Sequence, residues 1–487
     1  MIKLKRTWCA VLLGLTSSIS LAQFQIIPEP ADVQLGQGKT KSLNVIGEKI
    51  NSSLNNEAYI ITLTPKGSLL EYATPAGKKF AEVSLAQLAA QLKNSPEGIP
   101  IAVIADQPQY PWRGMMIDVA RHYLPLADLK LIADTMHYYK LNKLHLHLTD
   151  NQGWRLPVPA YPKLQTISSK RDEMEGNKIP TEGIYTKAEL KELVKYCKAR
   201  NIEIIPEIDV PGHNQALAAA YPEFFCDPEP GLKVRTTIGN SNNLICPSAK
   251  GVSEFYQHVF AEIRDIFPSP FVHLGGDEAP TDKWHKCPQC ASWRKDNNLP
   301  NEAAQMAFFF DKMNTLLGKY GKKPLFWYEN DASIYHPGYT VFTWRINSAR
   351  KAVEHTKKAN LNLILAPSEH CYFDFPQLPS HDKRGWMPVT TLEKTYQFDP
   401  TYGLPIDQRD HIKGVHCALW AEYLPTIDHV LYRAYPRAIA LAEKAWSPKK
   451  VWSWENFQTK LHEHNTLFLN RFGHSLERTN TNEKPFK

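Results

Sequence analysis

The feature that most constrains the fold is the alternation of short apolar segments with amphipathic helical segments along most of the chain. Eight candidate strands are mostly apolar on both faces, as strands of a parallel sheet covered by helices are. They lie at residues 114–119, 143–148, 202–208, 271–274, 324–327, 340–344, 361–366 and 414–419. Helices are predicted at 126–139 and 187–200, the second behind a capping box of Thr186 and Glu189. These units predict an α/β fold, a (β/α)8 TIM barrel.

The 487 residues divide into four predicted segments. They are a signal peptide at 1–22, a small N-terminal α/β domain at 23–108, the catalytic barrel at 109–450, and a helical extension with a polar tail at 451–487. In the small domain, strands are predicted at 59–64 and 69–73, with a helix from near Ser84. A doubly wound sheet would alternate in the same way, but no glycine-rich dinucleotide loop follows the first barrel strand.

The N-terminus has the three parts of a secretory signal: a cationic start, an apolar stretch at 8–15 and small residues ending at Ala22. Cleavage after Ala22 and export to the periplasm or the medium are expected. No later run is long and apolar enough to span a bilayer. Without the three cations of the signal, the formal net charge falls from +7 to +4, which is too little to indicate a nucleic-acid partner.

Cleavage would leave seven cysteines, an odd number for an oxidising compartment. Cys197 is the candidate free thiol, because it falls on the apolar face of a predicted helix. Cys226 with Cys246, and Cys287 with Cys290, are candidate disulfides. A metal at Cys287 and Cys290 would need two more ligands, and no second pair of that spacing is present, so a structural role is favoured over a metal. Disulfide pairing stays open among Cys226, Cys246, Cys287, Cys290, Cys371 and Cys417.

The strongest candidate for chemistry is the pair Asp277 and Glu278, which follows an apolar strand and the hinge Gly275-Gly276. Two neighbouring carboxylates cannot both ionise cheaply in a dry cleft, so one tends to stay protonated. That divides them into a proton donor and a negative partner. The alternative is a solvated turn that happens to contain two acids.

Polar and aromatic residues recur just after the other predicted strands, where a barrel places its functional groups. In strand order they are Asp118, with Arg113 at the strand's entrance; Asp150; Asp209 and His213; Asp277 and Glu278; Trp327 and Glu329; Trp344; Tyr372 and Asp374; and Trp420 and Glu422. Tryptophan walls suit the C–H faces of a sugar ring. Charged hydrogen bonds to sugar hydroxyls are expected from Arg113, Asp374 and Glu422.

Two acids from one strand end fit poorly as the facing acid and nucleophile of a glycosidase. The nucleophile should then come from elsewhere, and an acetamido oxygen of the substrate would serve. Asp277 would hold the amide N–H, and a phenol such as Tyr372 would hold the oxygen.

Taken together, these segments resemble glycoside hydrolase family 20, the β-N-acetylhexosaminidases, over residues 57–447. The matching segments are 112–122, 145–154, 206–213, 273–278, 372–374, 419–422, 436–437 and 442–443. The resemblance implies exo-acting, retaining removal of a terminal β-linked N-acetylglucosamine or N-acetylgalactosamine from a glycan. It implies substrate-assisted catalysis through an oxazolinium intermediate, with no cofactor and no metal.

Residue roles also follow from the resemblance. Glu278 would be the general acid/base, Asp277 would orient the acetamido group, and Tyr372 would bind its oxygen. His213 and Asp150 would tune the acid. The expected substrate-binding residues are Arg113, Trp327, Trp344, Asp374, Trp420 and Glu422.

Three alternatives stay open at this point. The chain could release a disaccharide rather than a monosaccharide, or be a secreted glycan-binding protein that has lost catalysis. It could also be a metal-dependent hydrolase, because His145 and His147 lie two apart on one strand with Asp150 nearby. Loss of activity with EDTA, restored by a divalent ion, would favour the third.

Overall fold

The computed structural model describes residues 24–175, 177–227, 229–379 and 387–478. The predicted signal peptide lies outside these residues. Within them, no helix combines the length and the apolar character that crossing a membrane requires.

The N-terminal domain is a five-stranded sheet with one helix packed on it. Its elements are β1 (Asp32–Thr40), β2 (Val45–Ile50), β3 (Tyr59–Thr64), β4 (Gly67–Tyr72), α1 (Pro75–Lys93) and β5 (Ile99–Asp106), and the strand order is β1-β5-β3-β4-β2. Phe80 and Leu88 of α1 are fully buried in the domain core. The predicted helix start near Ser84 is wrong, because Thr74 caps the helix by accepting from the Ala76 N–H and proline occupies the first turn.

The predicted barrel is confirmed: eight parallel strands close into a barrel. In chain order the strands are β6 (Trp112–Asp118), β7 (Lys143–His147), β8 (Thr149–Asp150), β9 (Gly153–Trp154), β10 (Lys170–Arg171), β11 (Thr181–Glu182), β12 (Glu203–Glu207), β13 (Phe271–His273), β14 (Lys323–Trp327), β15 (Thr340–Thr343), β16 (Asn362–Leu365) and β17 (Ile412–Leu419). The barrel consists of β6, β7 and β12 to β17, each within two residues of its predicted bounds. The remaining four form short hairpins at its rim.

Helices cover the barrel and fill several of the loops. They are α2 (Leu126–Tyr138), α3 (Lys187–Lys198), α4 (Gln215–Ala220), α5 (Val252–Ile266), α6 (Asp282–Lys286), α7 (Pro288–Asp296), α8 (Glu302–Gly318), α9 (Ala349–Lys358), α10 (Ser368–Cys371), α11 (Leu392–Tyr396), α12 (Ile427–Ala434), α13 (Arg437–Trp446) and α14 (Trp454–Phe472). The predicted capping box of α3 is present, with Thr186 and Glu189 each bonding the other's backbone N–H. The predicted C-terminal helical extension is α14.

The two domains meet through buried polar contacts as well as apolar ones. Lys140 Nζ lies 2.9 Å from Asp106 Oδ2, and both side chains are fully buried. The indole N–H of Trp446 donates to the other oxygen of Asp106 at 2.9 Å. The small domain is thereby held against the amino-terminal end of the barrel.

All seven cysteines of the described residues are free thiols. Cys197 is buried on α3 beside Leu190 and Leu193, as predicted. The candidate disulfides are not formed. Their four cysteines gather instead into one group, in which Cys290 lies near both Cys226 and Cys246.

Candidate active site

A cavity of about 250 Å³ lies at the carboxyl ends of the barrel strands. It is lined by Arg121, Asp150, Asp209, His213, Ile238, Gly239, Asn240, Asp277, Glu278, Trp344, Tyr372, Asp374, Phe375, Met387, Trp420, Glu422 and Tyr423. All of the predicted site residues are on this list except Arg113 and Trp327. Sequence reasoning did not assign roles to Arg121 or to the wall at Ile238, Gly239 and Asn240.

The acid pair is positioned by an unusual backbone after β13. Gly275 and Gly276 have φ values of +63° and +91°, and Glu278 has a φ of +46°. A Cβ atom added at Gly275 would lie 1.5 Å from Asp209 Oδ1, so only glycine fits there. This turn buries Asp277, whereas the Glu278 side chain stays 33% exposed at the mouth of the cavity.

His213 lies between the two acids of the pair. Its Nε2 atom is 3.6 Å from Asp277 Oδ2 and 3.6 Å from Glu278 Oε2. Burial raises the pKa of Asp277 to about 7; the His213 imidazole opposes this rise and the Glu278 carboxylate adds to it. Asp277 is therefore a carboxyl group that can be protonated or ionised near neutral pH.

Asp150 holds His213 from the other side, with Nδ1 to Oδ1 at 3.3 Å. Burial favours the neutral imidazole, but the carboxylates of Asp150, Asp277 and Asp209 outweigh it and raise the pKa of His213 to about 10. Burial also opposes ionisation of Asp150, yet the positive charges of Arg121 and His213 hold its pKa well below the usual range. The pair is thus an imidazolium and a carboxylate.

Arg121 connects several of the site carboxylates. Its guanidinium lies 3.1 Å from Asp118, 2.9 Å from Asp150 and 3.6 Å from Glu422. It also lies over the Trp420 ring, 5.1 Å from the centroid. The position of Arg121 in the sequence could have identified it as a site residue. The strand β6 ends at Asp118, so Arg121 follows the carboxyl end of that strand.

The prediction that Arg113 binds substrate is wrong. Arg113 is the second residue of β6, at the amino-terminal end of the barrel, and its side chain is fully buried. It forms a two-bond ion pair with Glu57, at 2.9 and 3.0 Å, and donates to the backbone oxygens of Lys140 and Tyr110. Arg113 therefore joins the barrel to the small domain.

The predicted aromatic residues lie at two depths. Tyr372, Trp344 and Trp420 line the cavity, and the ring centroids of Tyr372 and Trp420 are 6.2 Å apart. Trp327 lies deeper, 1% exposed, with its ring centroid 5.8 Å from that of Trp420 and its N–H donating to Glu207 at 2.8 Å. Trp327 supports the wall from behind.

Several buried polar atoms around the cavity have no hydrogen-bond partner among the described residues. They are Asp209 Oδ1, His213 Nε2, Asp277 Oδ1, Trp344 Nε1, Asp374 Oδ1 and Glu422 Oε2. Burial raises the pKa of Asp374 to about 8, with the Glu422 carboxylate adding to the rise, and burial likewise raises the pKa of Glu422. Because an unpaired buried polar atom is costly, this arrangement indicates a ligand rich in hydrogen-bonding groups.

His145 and His147, the histidines of the metal-dependent alternative, are buried inside the barrel, where both contact Glu207. Glu207 lies 3.0 Å from His145, 2.7 Å from His273 and 2.5 Å from His147. His147 Nε2 is also 2.8 Å from Asp150. Two groups lie close enough to hold a metal ion: His145, Glu207 and His273, and His147, Asp150 and Asp209. Their hydrogen bonds and ion pairs already account for their arrangement as a buried polar layer beneath the cavity.

The chain is similar to known proteins over most of its length. Residues 110–449 match the model of the glycosyl hydrolase family 20 catalytic domain. The chain is 55% identical to a β-hexosaminidase of Akkermansia muciniphila over 96% of this chain and 94% of that protein. A crystal structure of a β-N-acetylhexosaminidase superposes with a TM-score of 0.94 at 55% identity, covering 95% of this chain and 99% of that one. The Streptomyces plicatus N-acetyl-β-hexosaminidase superposes with a TM-score of 0.79 at 26% identity, covering 94% and 97%.

Proposed function

Because the chain belongs to glycosyl hydrolase family 20, we propose that its strand-end cavity removes terminal β-linked N-acetylglucosamine or N-acetylgalactosamine with Glu278 as the general acid/base. The chain is a glycoside hydrolase of the β-hexosaminidase type. The observation that carries the assignment to this cavity is its set of unpaired buried carboxylate oxygens and indole N–H. A sugar bearing hydroxyls and an acetamido group supplies both donors and acceptors to such a set.

The roles of the acid pair follow from their different exposure. Glu278, at the cavity mouth, can meet the glycosidic oxygen, donate a proton to it and later take one from water. Asp277, buried beneath it, has a free Oδ1 that can accept the acetamido N–H. Holding that amide raises the electron density on its oxygen, which attacks the anomeric carbon as the glycosidic bond breaks.

Developing positive charge on the oxazolinium ring is stabilised when Asp277 is ionised. His213, 3.6 Å away, favours that ionised form. The hydroxyl of Tyr372 is assigned to the acetamido oxygen, where it would hold the nucleophile in line. Water then opens the oxazolinium ring from the side of Glu278, and the two inversions give retention of configuration.

Sugar hydroxyls are assigned to Asp374, Glu422 and Arg121. The two carboxyls each have an unpaired buried oxygen, and Arg121 is fixed by Asp118 and Asp150. A carboxyl group accepts from a hydroxyl in either protonation state, and the Arg121 guanidinium is a charged donor, which binds a hydroxyl more strongly than a neutral donor does. Arg121 thus takes the role that sequence reasoning assigned to Arg113.

Cleavage is expected to require the substrate's acetamido group. An aryl β-glucoside, which carries a hydroxyl at that position, should be cleaved at least about 10³-fold more slowly than the aryl β-N-acetylglucosaminide, because intramolecular attack is lost. Steady-state kinetics on both substrates measures this ratio. Comparable rates would show that the nucleophile is not the acetamido oxygen.

We further propose that residues 1–22 direct export to the periplasm or the medium. A fusion of residues 1–22 to a phosphatase that is active only after export is expected to give active reporter. The matched control carries Leu12→Arg and Leu13→Arg, which interrupt the apolar stretch. Equal activity from both fusions would contradict the proposal.

A further inference from the structure

Four cysteines from two separate stretches of chain converge at one point. We call them the cysteine cluster: Cys226, Cys246, Cys287 and Cys290. Their Sγ atoms all lie within 4.8 Å of one another. Cys290 Sγ is 3.4 Å from Cys226 Sγ and 3.5 Å from Cys246 Sγ. In a tetrahedral site with metal–sulfur bonds of about 2.3 Å, neighbouring sulfurs are roughly 3.8 Å apart. The cluster therefore has the spacing of four ligands around one ion.

One half of the cluster has the local form of a metal-binding turn. Cys287 and Cys290 are separated by two residues, a common ligand spacing in structural zinc sites. The Cys290 N–H donates to Cys287 Sγ at 3.5 Å, and the two sulfurs lie within 4.8 Å of each other. Cys287 is also the N-cap of α7, so its position is fixed by the start of this helix.

The other half comes from the long loop between α4 and α5. Phe225 and Ile245 form an isolated antiparallel bridge, and the Cys246 N–H donates to the Phe224 oxygen at 2.8 Å. These contacts bring Cys226 and Cys246 side by side although they are far apart in sequence. Sequence reasoning disfavoured a metal because no second closely spaced pair exists, and this bridge supplies the missing pair.

We propose that the cysteine cluster binds one Zn²⁺ as a structural site. Four thiolates in a tetrahedral arrangement suit Zn²⁺ and leave no open position for catalysis. None of the four cysteines lines the substrate cavity, and zinc binding does not depend on the proposed catalytic roles. Metal ligation would also keep four neighbouring thiols from pairing as disulfides in an oxidising compartment.

The position of the cluster indicates what the ion would stabilise. The loop that carries Cys226 and Cys246 also carries the cavity-wall residues Gly239 and Asn240, and α6 and α7 follow directly after the acid pair. The two segments make further contacts: the Trp284 N–H donates to the Ile245 oxygen at 2.9 Å, and Lys283 donates to Asn243 at 3.1 Å. Zinc would cross-link two walls of the cavity.

The test is the metal content of the purified mature protein, produced with Zn²⁺ in the medium and without chelator. Elemental analysis is expected to give about one zinc per chain. Cys226→Ser and Cys290→Ser should each lose most of the zinc. The matched control, Cys197→Ser, removes a buried thiol outside the cluster and should keep it. Iron in place of zinc, no bound metal, or zinc retained in both cluster variants would overturn the proposal.

A thiol count on the wild-type protein decides the question even if the variants fail to fold. Unfolded in EDTA without reductant, a mature chain with a zinc site should show all seven thiols of the described residues. Two disulfides within the cluster would leave three and no zinc, which would refute the site. Seven thiols without zinc would refute it as well.

Discussion

Glu278→Gln is expected to lower kcat on a natural oligosaccharide by about 10²- to 10⁴-fold, because the sugar leaving group departs only with a proton and an amide cannot supply it. The substituted side chain keeps the size and position of Glu278 at the cavity mouth. Binding of N-acetylglucosamine, measured by calorimetry, should therefore change little.

The identity of the leaving group separates a proton donor from a merely structural residue. A dinitrophenyl glycoside leaves without protonation, so Glu278→Gln should impair the cleavage step on this substrate far less than on the oligosaccharide. Glu354→Gln makes the same chemical change at an exposed position on α9 and should leave both rates unaltered. Equal losses on both substrates, or no loss on either, would contradict the assignment of Glu278 as the acid.

Arg121→Lys is expected to lower kcat/KM by about 10- to 100-fold, because lysine keeps the charge but loses the planar fork that joins Asp150 and Glu422. The protein should remain folded, since one cation still faces the buried carboxylates. Steady-state kinetics on an aryl β-N-acetylglucosaminide measures the loss.

Arg113→Lys is the matched variant at the amino-terminal end of β6, the strand that Arg121 follows. It removes part of the two-bond pair with Glu57 and the bond to the Lys140 oxygen, so it should cost about 1.5–3 kcal/mol of unfolding free energy. Its kcat/KM per folded molecule should stay near that of the wild type. A large loss of kcat/KM in Arg113→Lys with none in Arg121→Lys would show that Arg113, and not Arg121, binds the substrate.

Local sequence patterns did not predict which of the two arginines, Arg113 or Arg121, faces the cavity. Both lie near β6 and within the segment that resembles family 20, so proximity in sequence does not separate them. About five residues of strand, at roughly 3.3 Å each, divide Arg113 from the carboxyl end of β6. Since functional groups of a barrel gather at that end, strand direction places Arg121 in the cavity and Arg113 against the small domain.

The depth of Trp327 and the start of α1 are not reported by local sequence patterns, for related reasons. Trp327 was correctly placed on a barrel strand, but its depth depends on packing against Trp420 and on the hydrogen bond to Glu207. The start of α1 depends on the local cap at Thr74, which apolar periodicity does not report. Periodicity identifies an element more reliably than its ends or the environment of each side chain.

The sequence by itself determined the eight barrel strands, their order and the position of the acid pair after the fourth of them. These properties depend on residues that are contiguous in the chain: apolar runs, and two glycines followed by two acids. The tertiary structure alone decided which arginine faces the cavity and that four cysteines meet at one point. Those properties depend on strand direction and on loops closing over long separations, which no local pattern records.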